Sequence, residues 1–219
     1  MPPLVTSKQI SRYQRDGVVL IRNLFDTHWL EVLAQGIEEN LHRPSKRTAN
    51  YVDDPQNNAH FFYDALVLGE VSGYDRLMMD SPMAEAVASV MGSSQAILFY
   101  ISVFVRSAGT RNRTPWHQDQ PSWSAVGDHA CSAWMSLDPV PKETALEFVR
   151  GSHRWKTQFQ RAPFFQFGYE NDDRGKLPDF PDIESHRDDY VILSWGMEPG
   201  DCLIFHGMTT HGGSGDLPP

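Results

Sequence analysis

With 219 residues, 40% of them hydrophobic and 21% charged, the chain has the composition of an ordinary globular protein and suits one large domain better than two. A formal net charge of -9 argues against a nucleic-acid partner, which calls for a basic surplus. No stretch approaches the ~20 apolar residues of a membrane span and no apolar run follows a basic head at the N-terminus, so neither a membrane nor an export signal is expected.

Thr6 or Ser7 caps a short helix through Gln9, Ile10, Tyr13 and Gln14, which Gly17 stops. The β-branched run Val18-Val19-Leu20-Ile21 predicts a strand. Asp26 is a good N-cap for a second helix, whose apolar positions Leu30, Leu33, Ile37 and Leu41 recur at helical spacing. Residues 43–58 turn polar, with Pro44 and Pro55, and predict an exposed loop; His60-Phe61-Phe62-Tyr63 and a helical segment to about Leu68 follow. Ser81-Pro82 opens another helix (Met83, Val87, Val90) with Gly92 as its stop.

After Gly92 the character changes. Residues 96–106 are β-branched and aromatic and predict a buried strand, followed by a turn over 107–113. Further strands are expected over 114–120, 131–137, 145–149, 190–194 and 202–205, with a turn at Pro199-Gly200-Asp201. Between Trp155 and Asp189 lies a segment rich in Phe, Asp and Pro with little periodicity, which predicts a lid or binding loop. Cys131 and Cys202 sit in apolar surroundings and read as reduced, buried thiols of a cytoplasmic protein. Helices over about 1–92 and a β-rich body over about 93–219 give a mainly β fold with flanking helices, a barrel or double-sheet jelly roll.

The body carries one constellation with chemical meaning, Trp116-His117-Gln118-Asp119. In a strand, residues two apart share a face, so His117 and Asp119 present an imidazole and a carboxylate side by side. Those are two of the three groups of a facial iron(II) site; the plain alternative is a polar strand end where the histidine pairs with the aspartate. Pro115, Trp116, Pro121 and Trp123 bound the pair with aromatic walls of the sort that exclude water. Nine histidines compete for the third position. His28, His42, His60, His129, His153 and His186 read as helix, turn or loop residues, which leaves His206 and His211. These two are five apart and face opposite sides of a regular strand. Gly212-Gly213 after His211 leave room for a co-substrate, which favours His211 as the ligand and His206 as a packing or backing residue.

Thr114-Pro115-Trp116-His117-Gln118-Asp119, Ala133-Trp134-Met135-Ser136-Leu137-Asp138, Gly151-Ser152-His153, and Pro199-Gly200-Asp201-Cys202-Leu203-Ile204-Phe205-His206 with His211-Gly212 occur in that order. Together with Asp16-Gly17-Val18-Val19-Leu20 near the start, the chain resembles the phytanoyl-CoA dioxygenase family of iron(II)- and 2-oxoglutarate-dependent oxygenases over most of its length. The resemblance implies a double-stranded β-helix (cupin-like) core and a single oxygenase domain over residues 1–219. It implies iron(II), 2-oxoglutarate and O2 as cofactor and co-substrates, His117, Asp119 and His211 as metal ligands, and Trp134 in the 2-oxoglutarate pocket; a plain core indole is the other reading of Trp134. It implies hydroxylation of a small-molecule substrate with succinate and CO2 as co-products, since the related halogenases lack the carboxylate that Asp119 supplies.

Two departures stand out. The family places an arginine shortly after the distal histidine to grip the far carboxylate of 2-oxoglutarate, and no basic residue follows His211 here, so the natural chain is expected to continue beyond Pro219. Arg106 is the internal candidate, because Tyr100, Ser102, Phe104 and Arg106 share one face of the strand expected over 96–106. Glu143-Thr144-Ala145-Leu146 stands where the family has a glycine-containing turn. The alternative readings are a non-catalytic metal-binding module of the same fold and a cupin-type metalloenzyme that does not use 2-oxoglutarate. Trp116, Trp123, Phe164, Phe165 and Phe167 are candidates to line the substrate pocket, with Arg111, Arg113 or Arg161 for an anionic group; each also reads as plain packing or surface.

Overall fold

A computed structural model describes residues 3–54, 59–106, 114–125, 127–160 and 177–213. The expectations for Phe164, Phe165, Phe167, Arg111, Arg113 and Arg161 lie outside the described residues. The chain begins with α1 (Ser7–Asp16), which Thr6 and Gln9 close in a reciprocal capping box and Gly17 ends in the left-handed region at φ 83°. Strand β1 (Val18–Ile21) follows, then α2 (Thr27–His42), whose N-cap Asp26 accepts from the Trp29 amide at 3.2 Å.

In α2 the fully buried stripe is Val32, Gly36 and Asn40; Leu33 and Ile37 of the apolar row pack half-buried beside it, and Leu41 is exposed. The reason is close approach. A Cβ on Gly36 would lie 2.7 Å from the Tyr74 ring, and one on Gly73 2.9 Å from the Val32 carbonyl, so the crossing with α3 (Ser72–Asp80) is built on two glycines. Asn40 is buried because its amide donates to Asp64 at 2.8 Å.

The 43–68 region departs from expectation. Instead of a loop and a helical segment it forms β2 (Ala49–Asp54) and β3 (Ala59–Leu66), and β3 pairs on its other side with β4 (Ile101–Arg106), all antiparallel. Asp64 is wholly buried on β3; the Ser45 amide (2.7 Å), the Ser45 hydroxyl (2.5 Å) and Asn40 satisfy its carboxylate. That network folds residues 43–48 back over the sheet, and strand pairing overrides the polar local sequence. The strand expected over 96–106 begins only at Ile101. Helix α4 (Met83–Met91) ends at Gly92 as expected.

The remaining strands are β5 (Cys131–Trp134), β6 (Leu146–Val149), β7 (Ile192–Ser194), β8 (Cys202–His206) and β9 (His211–Gly213). They form two three-stranded antiparallel sheets, ordered β1-β8-β5 and β7-β6-β9. The strand period of two divides the first sheet cleanly. Val19, Ile21, Cys202, Ile204 and Cys131 face α1, α2, α3 and α4 through Tyr13, Val32, Leu77, Met83 and Val90. Val18, Leu20, Leu203, Phe205 and Trp134 face the second sheet and pack with Phe148, Leu146, Leu193, Met197 and Trp195. Mainly strands with flanking helices is therefore the observed class. Among the described residues, no helix is long and apolar enough to cross a membrane.

Candidate metal centre

The Thr114 to His117 segment runs antiparallel to β9. His117 and His211 exchange both backbone hydrogen bonds at 2.9 Å, and the Gly213 amide reaches the Thr114 carbonyl at 3.0 Å. Directly opposed residues put their side chains on one face, so the two imidazoles meet with centroids 4.1 Å apart. Gly212 permits this closeness: a Cβ there would stand 3.0 Å from the Thr114 carbonyl oxygen. A strand through residue 120 does not form. After the isolated His117 bridge the chain enters a 3-10 turn at Gln120–Ser122, because the Gln120 amide bonds to the Gly207 carbonyl at 2.9 Å. Asp119, at the head of that turn (φ -78°, ψ -43°), still comes round to the histidines. Its Oδ1 lies 3.4 Å from His117 Nε2 and 3.6 Å from His211 Nε2, and the three donor atoms fall within 4.8 Å of one another.

Backbone carbonyls orient the rings. His117 Nδ1 stands 2.8 Å from the Pro115 carbonyl oxygen and His211 Nδ1 2.9 Å from that of Thr209. A carbonyl only accepts, so each Nδ1 carries the proton and each Nε2 turns its lone pair to the common point. Phe148 stacks on the His211 ring (5.6 Å, 17°) and Phe205 packs against it at 4.6 Å. Burial, with His117 close by, pushes His211 down to about 4. Burial alone would raise the Asp119 carboxyl, but His211, His117 and the Ser132 hydroxyl together hold it at about 2. At neutral pH His211 is therefore a neutral imidazole and Asp119 a carboxylate, the protonation state that metal binding needs.

The other expected residues distribute as follows. His206 is on the helix-facing side of β8, near Tyr13 (6.4 Å) and His153 (5.4 Å), and its Nδ1 accepts from the Met208 amide at 3.0 Å; it packs and does not reach the donors. Trp134 shares the inner face of β5 with Ser132 and packs into the inter-sheet core. The Tyr100 hydroxyl accepts from Trp123 Nε1 at 3.1 Å, is reached by Ser102, and is raised by burial and the nearby Asp119 charge. Arg106 stands at the opposite end of β4, its guanidinium 5.0 Å over the Phe61 ring. Trp116 donates to Glu184 at 3.1 Å.

Two supporting residues escaped the sequence reading. Gln118, 3% exposed, donates to the Thr157 and Met208 carbonyls at 3.1 Å each and accepts from the Phe159 amide, so it ties the motif to the segment after Trp155 and to the turn before His211. Ser132 donates to Asp119 Oδ2 at 2.5 Å. Its signal was present in principle, since it precedes Trp134 by two and shares its face.

A family model described as Phytanoyl-CoA dioxygenase (PhyH) matches residues 13–216. An ectoine dioxygenase of Bordetella bronchiseptica is 23% identical, over 98% of this chain and 72% of that protein. Among solved structures, EctD from S. alaskensis with 2-oxoglutarate and 5-hydroxyectoine superposes with a TM-score of 0.72 at 19% identity, over 100% of this chain and 73% of that one. The epimerase SnoN in complex with Fe3+, alpha ketoglutarate and nogalamycin RO gives 0.68 at 21% identity, over 95% and 77%. At these identities the structural likeness establishes a shared fold.

Proposed function

The chain belongs to the phytanoyl-CoA dioxygenase (PhyH) family, and from that premise we propose that it hydroxylates a small organic molecule at a mononuclear iron centre held by His117, Asp119 and His211. It is an iron(II)- and 2-oxoglutarate-dependent dioxygenase. The observation that carries the ligand assignment is the convergence of two Nε2 atoms and one carboxylate oxygen within 4.8 Å, with both imidazoles buried and the carboxylate partly so. Two imidazoles and one carboxylate form the facial set suited to iron(II), with open positions left over. Bound there, iron(II) with 2-oxoglutarate and O2 supplies the oxidation: the keto acid leaves as succinate and CO2, and one oxygen atom enters a substrate C–H bond.

The protein's own residues prepare that event. The Pro115 and Thr209 carbonyls aim the two imidazoles, and Phe148 and Phe205 wall off His211 from water. We read the two facing sheets as the halves of a double-stranded β-helix, with the donors at one end of the space between them, and residues 1–219 as one oxygenase domain. Trp134 and Tyr100 are assigned to the 2-oxoglutarate pocket, the first on the inner face of β5, the second with its hydroxyl near Asp119. Ser102, which reaches that hydroxyl, joins them. Arg106 is assigned with them only through the shared face of β4; its Cα lies roughly 13 Å further along the strand than that of Ser102. Both cysteines are free, and Cys202 is fully buried, which supports a reducing, cytoplasmic setting.

Anaerobic addition of iron(II) and then 2-oxoglutarate to the purified protein is expected to raise a weak visible charge-transfer band, and Asp119→Ala is expected to abolish both the band and succinate formation. Full succinate turnover in Asp119→Ala would sink the ligand assignment.

A further inference from the structure

Ser132 lies on β5 directly opposite Phe205 of β8, on the inner face of its sheet. Its hydroxyl donates to Asp119 Oδ2 at 2.5 Å, while Oδ1 of the same carboxylate stands 3.4 Å and 3.6 Å from the two imidazole Nε2 atoms. The two oxygens of Asp119 are thus committed to different partners: one to the point where the imidazoles converge, the other to a hydroxyl on a neighbouring strand. A hydrogen bond to an ionised carboxylate is short and roughly twice as strong as a neutral one. Serine has a single side-chain torsion, so once the β5–β8 ladder fixes its backbone only three staggered positions remain for Oγ, and the one it occupies meets Asp119. Phe205, its partner in that ladder, also packs against the His211 ring at 4.6 Å, so one pair of strands supports two of the three donors.

A carboxylate with both oxygens free can chelate a divalent cation through both. In a facial site that second bond would occupy a position the keto acid or dioxygen needs. Resting on the ligand assignment above, we propose that Ser132 is a positioning residue whose hydroxyl restrains Asp119 to coordination through Oδ1 alone, keeping the adjoining position on the metal open. The residue touches neither metal nor substrate and acts through Asp119. Loss of the hydroxyl leaves Oδ2 without its partner, the carboxylate free to rotate, and the site both weaker for metal and less open to the co-substrate.

The test uses the purified chain, cobalt(II) as an oxygen-stable spectroscopic probe, and 2-oxoglutarate. Ser132→Ala is expected to bind cobalt(II) about 10- to 100-fold more weakly, the range for losing a group that orients a metal ligand. At saturating cobalt(II) its affinity for 2-oxoglutarate is expected to fall about tenfold or more, and the visible cobalt bands to change with coordination number. Ser132→Thr, which keeps the hydroxyl, is expected to restore all three. A loss of melting temperature in Ser132→Ala with both affinities intact overturns the proposal, since the residue would then be structural only. Equal losses in the Ala and Thr variants overturn it too, because the hydroxyl would not be the cause. Asp119→Ala separates this from the underlying assignment. If it binds cobalt(II) as well as the parent, the ligand reading itself fails; if it loses the metal while Ser132→Ala keeps both affinities, only the role of Ser132 falls.

Discussion

Phe148 offers the sharpest link between packing and the site. Its side chain is fully buried, with Phe205 at 5.1 Å, Trp195 at 6.3 Å and the His211 imidazole stacked at 5.6 Å. A buried aromatic removes about 150–250 Å² from water, worth roughly 4–6 kcal/mol at ~25 cal/mol per Å². The methyl that alanine retains and partial collapse of the hole reduce this, so Phe148→Ala is expected to cost about 3–5 kcal/mol. That is a large share of the ~5–15 kcal/mol by which a domain is stable. Urea unfolding of the metal-free protein measures it as a fall in midpoint at unchanged slope. The same variant, where still folded, is expected to bind cobalt(II) more weakly, because His211 loses the surface that fixes its ring. Phe148→Leu refills most of the space and is expected to cost less than the alanine variant on both counts. A cost below about 1 kcal/mol, with full cobalt affinity, refutes the view that inter-sheet packing holds the third donor.

Metal binding itself is expected to stabilise the chain: cobalt(II) at a hundred times its dissociation constant adds about 2.7 kcal/mol, or roughly 5–10 °C in a thermal melt, and Asp119→Ala is expected to show no such shift. Acid is expected to destabilise the metal-free protein in two windows. His211 titrates at about 4 when folded and near 6.5 when unfolded, so the unfolded chain binds the extra proton and stability falls by about 3 kcal/mol between those values as pH drops. Asp119, at about 2 folded against 3.8 unfolded, withdraws a further ~2 kcal/mol as pH falls through that lower range. His211→Asn is expected to flatten the upper window in urea unfolding at a series of pH values, and an unchanged slope there rules the assignment out. Gly17→Ala places a Cβ 2.5 Å from both His153 Nδ1 and Thr209 Oγ1 at φ +83°, and is expected to cost roughly 2–4 kcal/mol in the same assay; a neutral result would mean that the α1–β1 turn relaxes freely.

What was legible in the sequence was local. The caps at Thr6, Gly17, Asp26 and Gly92 are satisfied within a few residues of themselves, and each lies where its side-chain chemistry indicates. That the three candidate donors named from the sequence come together has a different reason: residue type and order survive even where the local shape is misjudged. His117 and Asp119 converge although their segment is a bridge followed by a 3-10 turn, because the opposed His211 and the Gly207 carbonyl determine the backbone there. The failures were non-local. Strands β2 and β3 hide behind a polar composition because Asp64 is buried by partners 19 and 24 residues away in sequence. The apolar spacing of α2 marked the helix, but not the close approach of α2 and α3 at Gly36 and Gly73, which carry no apolar signal. Ser132 carries no motif of its own, and its importance arises only when β5 lies beside the turn that bears Asp119.

All five residues of β8 are buried, so this strand has no side that tolerates water. Its odd and even positions instead serve two different interiors, and the cost of a pairing error is therefore chemical as well as energetic. A slip of one residue would turn His206 toward the candidate metal site and Phe205 toward α1, adding a third imidazole beside the Asp119 carboxylate while stripping His211 of its neighbour. The unequal surroundings of the two faces, apolar beside Phe148 and polar beside His153 and Tyr13, make that alternative expensive on both sides at once. In this chain, strand registration also decides which histidines stand beside the Asp119 carboxylate.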